Sequence, residues 1–462
     1  MRRVAFCSPV NPAASGIADY AEELLPFLAQ WCEVELFVAP GLVPTNPLLA
    51  AHLAVWPLDH LASRHAARPY DAIVYQMGNS PAHNAIYELL LRVPGVMVLH
   101  DWVLHHFKLG YLAAHNRLAS YHAELARLYG RPGERAGRRM LQGQLTDAVF
   151  AMPLNDDVLA AARGVIGHSR WIVEQIAAAQ PNVPAAWLPM GVPLPPLFDR
   201  AAARQALGLA VDAPVWASFG HVNPYKRSEA ALRAFRHFRE THPTARYLFV
   251  GSVSPNYPLA AVVARLGLTD AVTITGYVSA AAWAAYVAAA DLCLNLRHPT
   301  AGETSASLLR LLGAGRPTLV SAGDAFAELP DHVCAKVDAD AGEAALIFEY
   351  AQLLDSTPAL ALALGANARA FVAREHTLSQ AAAEYMRFLA QIYGWEAPTI
   401  QRPPLWTLPV VAALPVAVAP PVVAAAGAAP FAGVGDAVAA LGVAPDDAAL
   451  GDIAAVAAGL WG

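Results

Sequence analysis

The sequence predicts an α/β protein of two doubly wound domains, followed by a Pro/Ala-rich C-terminal tail. Three observations carry that expectation. Short apolar runs alternate with helical patterns up to about residue 192, and the alternation restarts at residue 214. A chain of 462 residues exceeds one ordinary core, so two domains of roughly 200 residues each are the natural division. Beyond Gly394 charge almost vanishes, and proline, alanine and valine dominate.

In the first half, residues 2–10 (RRVAFCSPV) read as a strand, followed by the loop NPAASGIAD and a helix from about Tyr20 to Gln30. Further strands are expected at Glu33 to Ala39, Tyr70 to Gln76 and Gly95 to His100. A helical stretch with more charge than the rest then runs from about Leu104 to Leu159. Gly164 to Ser169 (GVIGHS) reads as another strand, and Pro193, Pro195 and Pro196 mark a boundary. In parallel sheets, ligands bind beyond the carboxyl ends of strands, where Gly16, Asn79 and His100 fall.

The second half begins with a strand at Pro214 to Gly220, then a helix at Ser228 to Glu240 and a strand at Arg246 to Gly251. A helix at Leu259 to Leu266, a strand at Val272 to Tyr277 and a helix at Ala280 to Ala288 follow. The apolar run Ala289 to Leu296 reads as a buried strand, and a polar turn leads from it into a helix closed by Gly313, Gly315 and Pro317. Later strands are expected at Pro317 to Ser321 and His332 to Val337, with helices at Ala359 to Glu375 and Ser379 to Tyr393. The division is 1–195, 204–378, a closing helix 379–395 and a tail 396–462, with short helices expected near 435–441 and 446–460.

Composition excludes several classes. A net charge of −6 gives no global basis for nucleic-acid binding. Cys7, Cys32, Cys293 and Cys334 are scattered in apolar contexts without C-x-x-C spacing, so buried thiols are expected rather than a metal site. The N-terminal apolar run breaks too early for a secretory signal, and no apolar run reaches the ~20 residues of a spanning helix. A cytoplasmic location is expected. Arginines between Lys108 and Arg139 outnumber acidic residues, which reads either as a solvated helical face or as a surface for a membrane headgroup or lipid-phosphate acceptor.

The stretch Arg297 to Pro317, RHPTAGETSASLLRLLGAGRP, is the most informative. A strand–turn–helix places the first free N–H groups, expected near Thr304 and Ser305, toward the turn, where they favour an anion. Glu303 stands in the same turn. A carboxylate beside an anion site makes sense where it holds neutral groups such as sugar hydroxyls.

Several motifs in order resemble the GT-B fold glycosyltransferases of retaining family 4, over about residues 1–395. They are the loop AASGIAD, the His-Asp of VLHDWVLHH, the I-x-H-S of GVIGHS, the loop FGHVNPYKR and the turn HPTAGETS. The form R-x-P-T-x-G-E-T-S with a later A-E-L-P (Ala327 to Pro330) looks like a bacterial subgroup of that family. The resemblance implies two Rossmann-like domains facing across a cleft. It also implies a retaining transfer from a nucleotide-diphosphate sugar without metal or other cofactor, to a glycan, lipid-linked or cell-surface polysaccharide acceptor.

On the resemblance, Lys226 contacts the donor diphosphate and His100 hydrogen-bonds a sugar hydroxyl, with Asp101 orienting His100. Gly16 lets backbone approach phosphate or acceptor, and Glu303 holds the donor sugar. Thr304, Ser305 and Arg297 neutralise the diphosphate, and Glu328 supports the same loop. The family's arginine five residues before the lysine is replaced here by His221, for which Arg227 or Arg297 compensates. His168 and Ser169 are as compatible with a structural role as with a functional one. The family's second glutamate, which holds the ribose, falls at Arg310. Arginine has no acceptor for a hydroxyl and suits a phosphate or an acidic neighbour instead. A GT-B sugar-nucleotide epimerase and a non-catalytic nucleotide-sugar-binding scaffold remain alternative readings.

Overall fold

The computed structural model describes residues 1–406 except 14, 145, 146, 198 and 397. The helices expected near 435–441 and 446–460 lie outside the described residues. The first sheet contains β1 (Arg3–Cys7), β2 (Glu33–Val38), β3 (Ala54–Pro57), β4 (Ala72–Met77), β5 (Val96–Leu99), β6 (Gly164–Gly167) and β7 (Ala185–Trp187). The second contains β8 (Val215–Phe219), β9 (Arg246–Val250), β10 (Val272–Ile274), β11 (Leu292–Asn295), β12 (Thr318–Ser321) and β13 (Ala335–Val337).

The strand orders are β3-β2-β1-β4-β5-β6-β7 and β10-β9-β8-β11-β12-β13, with every pairing parallel. Each sheet therefore reverses its winding once, between β1 and β4 in the first and between β8 and β11 in the second. Helices cover both faces, and the strands are almost continuously apolar, as sheets buried on both sides must be. Trp216, Phe235, Phe238 and Tyr247 fill the core on one face of the second sheet, each stabilising it by roughly 1.5–3 kcal/mol. Arg204 is fully buried behind the other face, where it donates to the carbonyls of Ala289, Val211 and Ala213 and pairs with Asp291.

Two features depart from the sequence expectation. The 104–159 stretch is several helices, with Gly130 at φ 59° breaking Leu118–Leu141 into two arms. The strand β3 and the helices Pro47–His52 and Glu343–Ser356 had no clear signal. The first stretch of the Pro/Ala-rich segment packs on the first domain. Gln401 N–H donates to Gln30 O at 2.8 Å, Arg402 Nε donates to Ala29 O at 2.7 Å, and Trp406 is buried beside His52.

The helix Leu378–Tyr393 returns to the first domain. It packs along Gly16–Leu28, and Phe388 and Ile392 sit against Gly164, where a β-carbon would come within 3.1 and 2.9 Å. The four cysteines are buried and free. No described helix is long and apolar enough to cross a membrane.

Candidate active site at the facing strand ends

Both winding reversals leave a crevice at the carboxyl ends of their strands, the usual ligand position in such sheets, and the two crevices face each other. In the first domain, β1 leads to the helix Gly16–Leu28, capped by Ser15 Oγ accepting from Ile17 N–H at 3.2 Å. A β-carbon on Gly16 would meet nothing within 4 Å, so no contact inside the chain demands glycine there. At the end of β4, a β-carbon on Gly78 would come within 2.3 Å of the tip of the Ile17 side chain and within 3.2 Å of His83 and Asp101, so a larger residue there would displace these side chains. Just beyond β5 stand His100 and Asp101.

His100 is buried, and its Nε2 lies 2.7 Å from Gln76 Oε1. Burial, then the neighbouring His168 and His83, hold its pKa well below the usual histidine range, so it is neutral. The expectation that Asp101 orients it is corrected: Gln76 takes that place. Asp101 Oδ2 instead accepts from Asn79 N–H at 2.8 Å. Burial and the nearby Glu303 raise its carboxyl to about 7, with the Asn79 N–H and Arg297 acting in the opposite sense. His168 hydrogen-bonds Leu188 O through Nδ1, and Ser169 caps the helix Arg170–Ala179, so both have structural partners.

In the second domain, β8 leads to His221 and the loop carrying Lys226. Lys226 is half-buried, and its ammonium has no hydrogen bond or ion pair among the described residues. Burial, then the Arg297 guanidinium, bring its pKa down to about 7 against the pull of Glu303. His221 Nδ1 lies 2.9 Å from Ser252 Oγ, while its buried Nε2 has no partner among the described residues. β11 ends at Arg297, 8% exposed, whose Nη1 pairs with Glu303 and whose Nη2 donates to Ser305 Oγ at 3.0 Å. The Nε of Arg297 is buried without a partner among the described residues.

Glu303 also accepts from Ala301 N–H at 2.9 Å. Burial pushes its carboxyl up, but Arg297, a backbone N–H and Lys226 outweigh that and hold it below the usual glutamate range. The structure thus gathers Lys226, Arg297 and Glu303 on one crevice, with Asp101 across from them. Two cations with unfilled donors and one stabilised carboxylate can hold a diphosphate beside a hydroxyl-bearing group.

Several expected roles change. Ser305 is the N-cap of the helix Ala306–Gly313, its Oγ accepting from Leu308 N–H at 3.2 Å and from Arg297. Its hydroxyl is spent within the chain, and Ala306 and Ser307 open the helix that it caps. Thr304 is half-buried in the turn ahead of that helix. Arg227, at φ 55°, is clamped to the buried Glu343 through Nε and Nη2, which removes it as a substitute for the missing family arginine. Glu328 accepts from the backbone N–H groups of Arg170 and Trp171, capping a helix of the opposite domain rather than the donor loop.

Arg310 has found an acidic neighbour, Glu23 Oε2 at 2.8 Å, on the first domain. The loop ahead of it is seated there too. Val103 N–H donates to Ala301 O at 2.9 Å, and Gly302, at φ 75°, lies where a β-carbon would come within 2.3 Å of the Trp171 ring and 2.8 Å of Trp102 Cβ. These contacts close the two crevices on each other. Sequence reasoning undervalued Asp101 and missed Glu23. The signal for Asp101 was its place one residue past the His100 strand end; Glu23 carried none.

The decisive comparison is with the second domain. Residues 213–355 match the family model described as Glycosyl transferases group 1. That span holds β8 through β13 and with them Lys226, Arg297 and Glu303. The two-sheet architecture matches solved GT-B glycosyltransferases.

Sucrose-phosphate synthase from Thermosynechococcus elongatus is 19% identical, with a TM-score of 0.61 over 85% of this chain and 100% of that one. Anabaena HepE in complex with UDP and glucose is 16% identical, with a TM-score of 0.61 over 84% and 100%. WaaG, a glycosyltransferase involved in lipopolysaccharide biosynthesis, is 16% identical, with a TM-score of 0.57 over 85% and 100%. At such identities the likeness is one of fold. No curated protein matches the chain.

Proposed function

We propose that the protein is a retaining, metal-independent glycosyltransferase that moves a sugar from a nucleotide-diphosphate sugar to a glycan or lipid-linked acceptor. One observation carries the reading. At the winding reversal of the second sheet, the buried Arg297 Nε has no partner among the described residues, and neither has the half-buried Lys226 ammonium, beside a carboxylate kept ionised by Arg297. Buried donors without acceptors are costly and rare, and a diphosphate supplies the acceptors.

In the proposed mechanism Lys226 and Arg297 neutralise the diphosphate as the glycosidic C–O bond breaks, with the N–H groups of Ala306 and Ser307 adding to the anion's field. Glu303 accepts hydrogen bonds from the donor sugar. Asp101 faces that sugar from the other domain and, with a carboxyl near 7, offers a proton donor at neutral pH. A donor phosphate oxygen takes the acceptor's proton on the face from which the leaving group departs, so no protein base is needed. Seating of the 301–303 loop against Trp102 and Trp171 excludes water, which otherwise intercepts the activated sugar.

Uridine nucleotides are the donors to try first, because HepE is described with UDP, with UDP and glucose and with UDP-glucose. A thermal-shift screen of UDP-, GDP-, ADP- and TDP-sugars tests the reading, with stabilisation by at least one expected. Stabilisation by none would refute a nucleotide-sugar site.

A further inference from the structure

Between β5 and β6 the chain leaves the first sheet for a helical insertion, residues 105–151. Its longest helix, Leu118–Leu141, is two arms meeting at Gly130. On the second arm Gly133, Ala136, Gly137 and Met140 are buried, the two glycines against Leu125 of the first arm and Ala136 and Met140 in the insertion's own core. The opposite side carries Arg131, Arg135, Arg138 and Arg139, all exposed. Their spacing of i, i+4, i+7 and i+8 places them in one stripe about 12 Å long. Arg117 and Arg127 are exposed on the approach to it.

Among the described residues, only Arg138 of these six makes an ion pair, an exposed one with Glu134 at 2.8 Å. Of the two glutamates in 117–141, the other, Glu124, faces the buried Lys108 at 3.6 Å. Lys108 is itself paired with Asp157 at 2.6 Å, so the expectation that it joins the basic surface is corrected. The cationic surface is arginine alone. On a chain of net charge −6, five cations left without counter-charges repel one another and have no internal use.

The placement gives them one. The second arm leads to the turn Asp147–Ala151, whose Phe150 packs on Tyr225 with ring centroids 4.7 Å apart, next to Lys226. The insertion that carries the stripe therefore reaches the second domain beside the Lys226 loop. We propose that the Arg127–Arg139 surface docks the protein on an anionic lipid bilayer, which presents a lipid-linked acceptor to the cleft. The docking stands on the stripe, and only the acceptor clause rests on the glycosyltransferase reading. A nucleic-acid partner fits less well, because neither Tyr121 nor Tyr129 on this helix is exposed to stack a base. A flat row of headgroup phosphates matches one straight stripe of guanidinium groups.

The test is co-sedimentation of the full chain with sucrose-loaded vesicles, either pure phosphatidylcholine or containing about a third phosphatidylglycerol, at low and high salt. The expected result is binding to anionic vesicles alone, reversed by salt. Replacing the stripe (R131E/R135E/R138E/R139E) is expected to cut partitioning by at least about tenfold, with an unchanged melting temperature. A milder Arg→Gln set at the same positions serves if the reversal misfolds. Equal binding to both vesicle types, binding to neither, wild-type partitioning by the variants, or displacement of vesicles by an RNA oligonucleotide would each overturn the proposal. Vesicle binding without turnover of any nucleotide sugar would leave docking intact and remove the enzymatic reading.

Discussion

Lys226 gives a quantitative prediction about donor binding. Burial and Arg297 place its pKa at about 7 in the free protein, so above neutrality most molecules hold an uncharged amine. A bound diphosphate requires the ammonium, so binding takes up a proton and weakens as pH rises. With a free-protein pKa of about 7, the apparent Kd scales as one plus ten to the power of pH minus 7. Between pH 6.5 and 8.5 it therefore rises about 25-fold, or ~1.9 kcal/mol. The ligand should be a nucleotide-diphosphate sugar, whose phosphates do not titrate in that window. Calorimetry in buffers of different ionisation enthalpy reads the proton uptake directly.

Lys226→Arg should flatten the dependence, because a guanidinium stays charged throughout. Asp101→Asn is the necessary control, since Asp101 ionises in the same range and would itself repel the anion. A wild-type Kd that changes less than about twofold over the window, or a Lys226→Arg variant with the full slope, would refute the reasoning.

Three further outcomes follow from the same geometry. Glu303→Gln removes the charge that Arg297 faces while keeping its shape, and turnover should fall by about a hundredfold; steady-state kinetics retaining a tenth of wild-type turnover would contradict the role. Gly302→Ala puts a β-carbon at φ 75° within 2.3 Å of the Trp171 ring. It should cost about 1–3 kcal/mol and populate a more open form, read as a larger radius of gyration in solution scattering. Arg204→Met takes the donor from the carbonyls of Ala289, Val211 and Ala213 while Asp291 keeps Arg200 and the Val215 N–H; it should lower denaturant stability by about 1–3 kcal/mol, without changing nucleotide affinity in the molecules that remain folded. A loss below 1 kcal/mol would mean the buried network is not structural.

The sequence exposed the parallel-sheet architecture because buried strands such as AADLCLNL and RYLFVG are continuous apolar runs between helical periods. It exposed the residues on the loops that leave β5, β8 and β11: His100, Lys226, Arg297 and Glu303. It did not expose contacts made by residues far apart in sequence.

Glu328 and Arg227 look like free polar side chains until the Arg170 helix and Glu343 are placed beside them. Arg310 was legible as a departure, but its partner Glu23 lies 287 residues away, on a helix whose pattern records only amphipathicity. The edge strand β3 escaped because AVWP is short, half-buried and ends in proline.

The central claim is that the crevice holding Lys226, Arg297 and Glu303 is a nucleotide-sugar donor site. Its most direct test is the release of nucleoside diphosphate from a panel of nucleotide sugars, with and without anionic vesicles carrying lipid-linked acceptors. Wild type and Lys226→Ala should be assayed side by side. The account predicts release from at least one donor, reduced by about a hundredfold or more in Lys226→Ala with its melting temperature unchanged. Equal release by the two proteins, or stabilisation by a donor that Lys226→Ala binds as tightly as wild type, would contradict it.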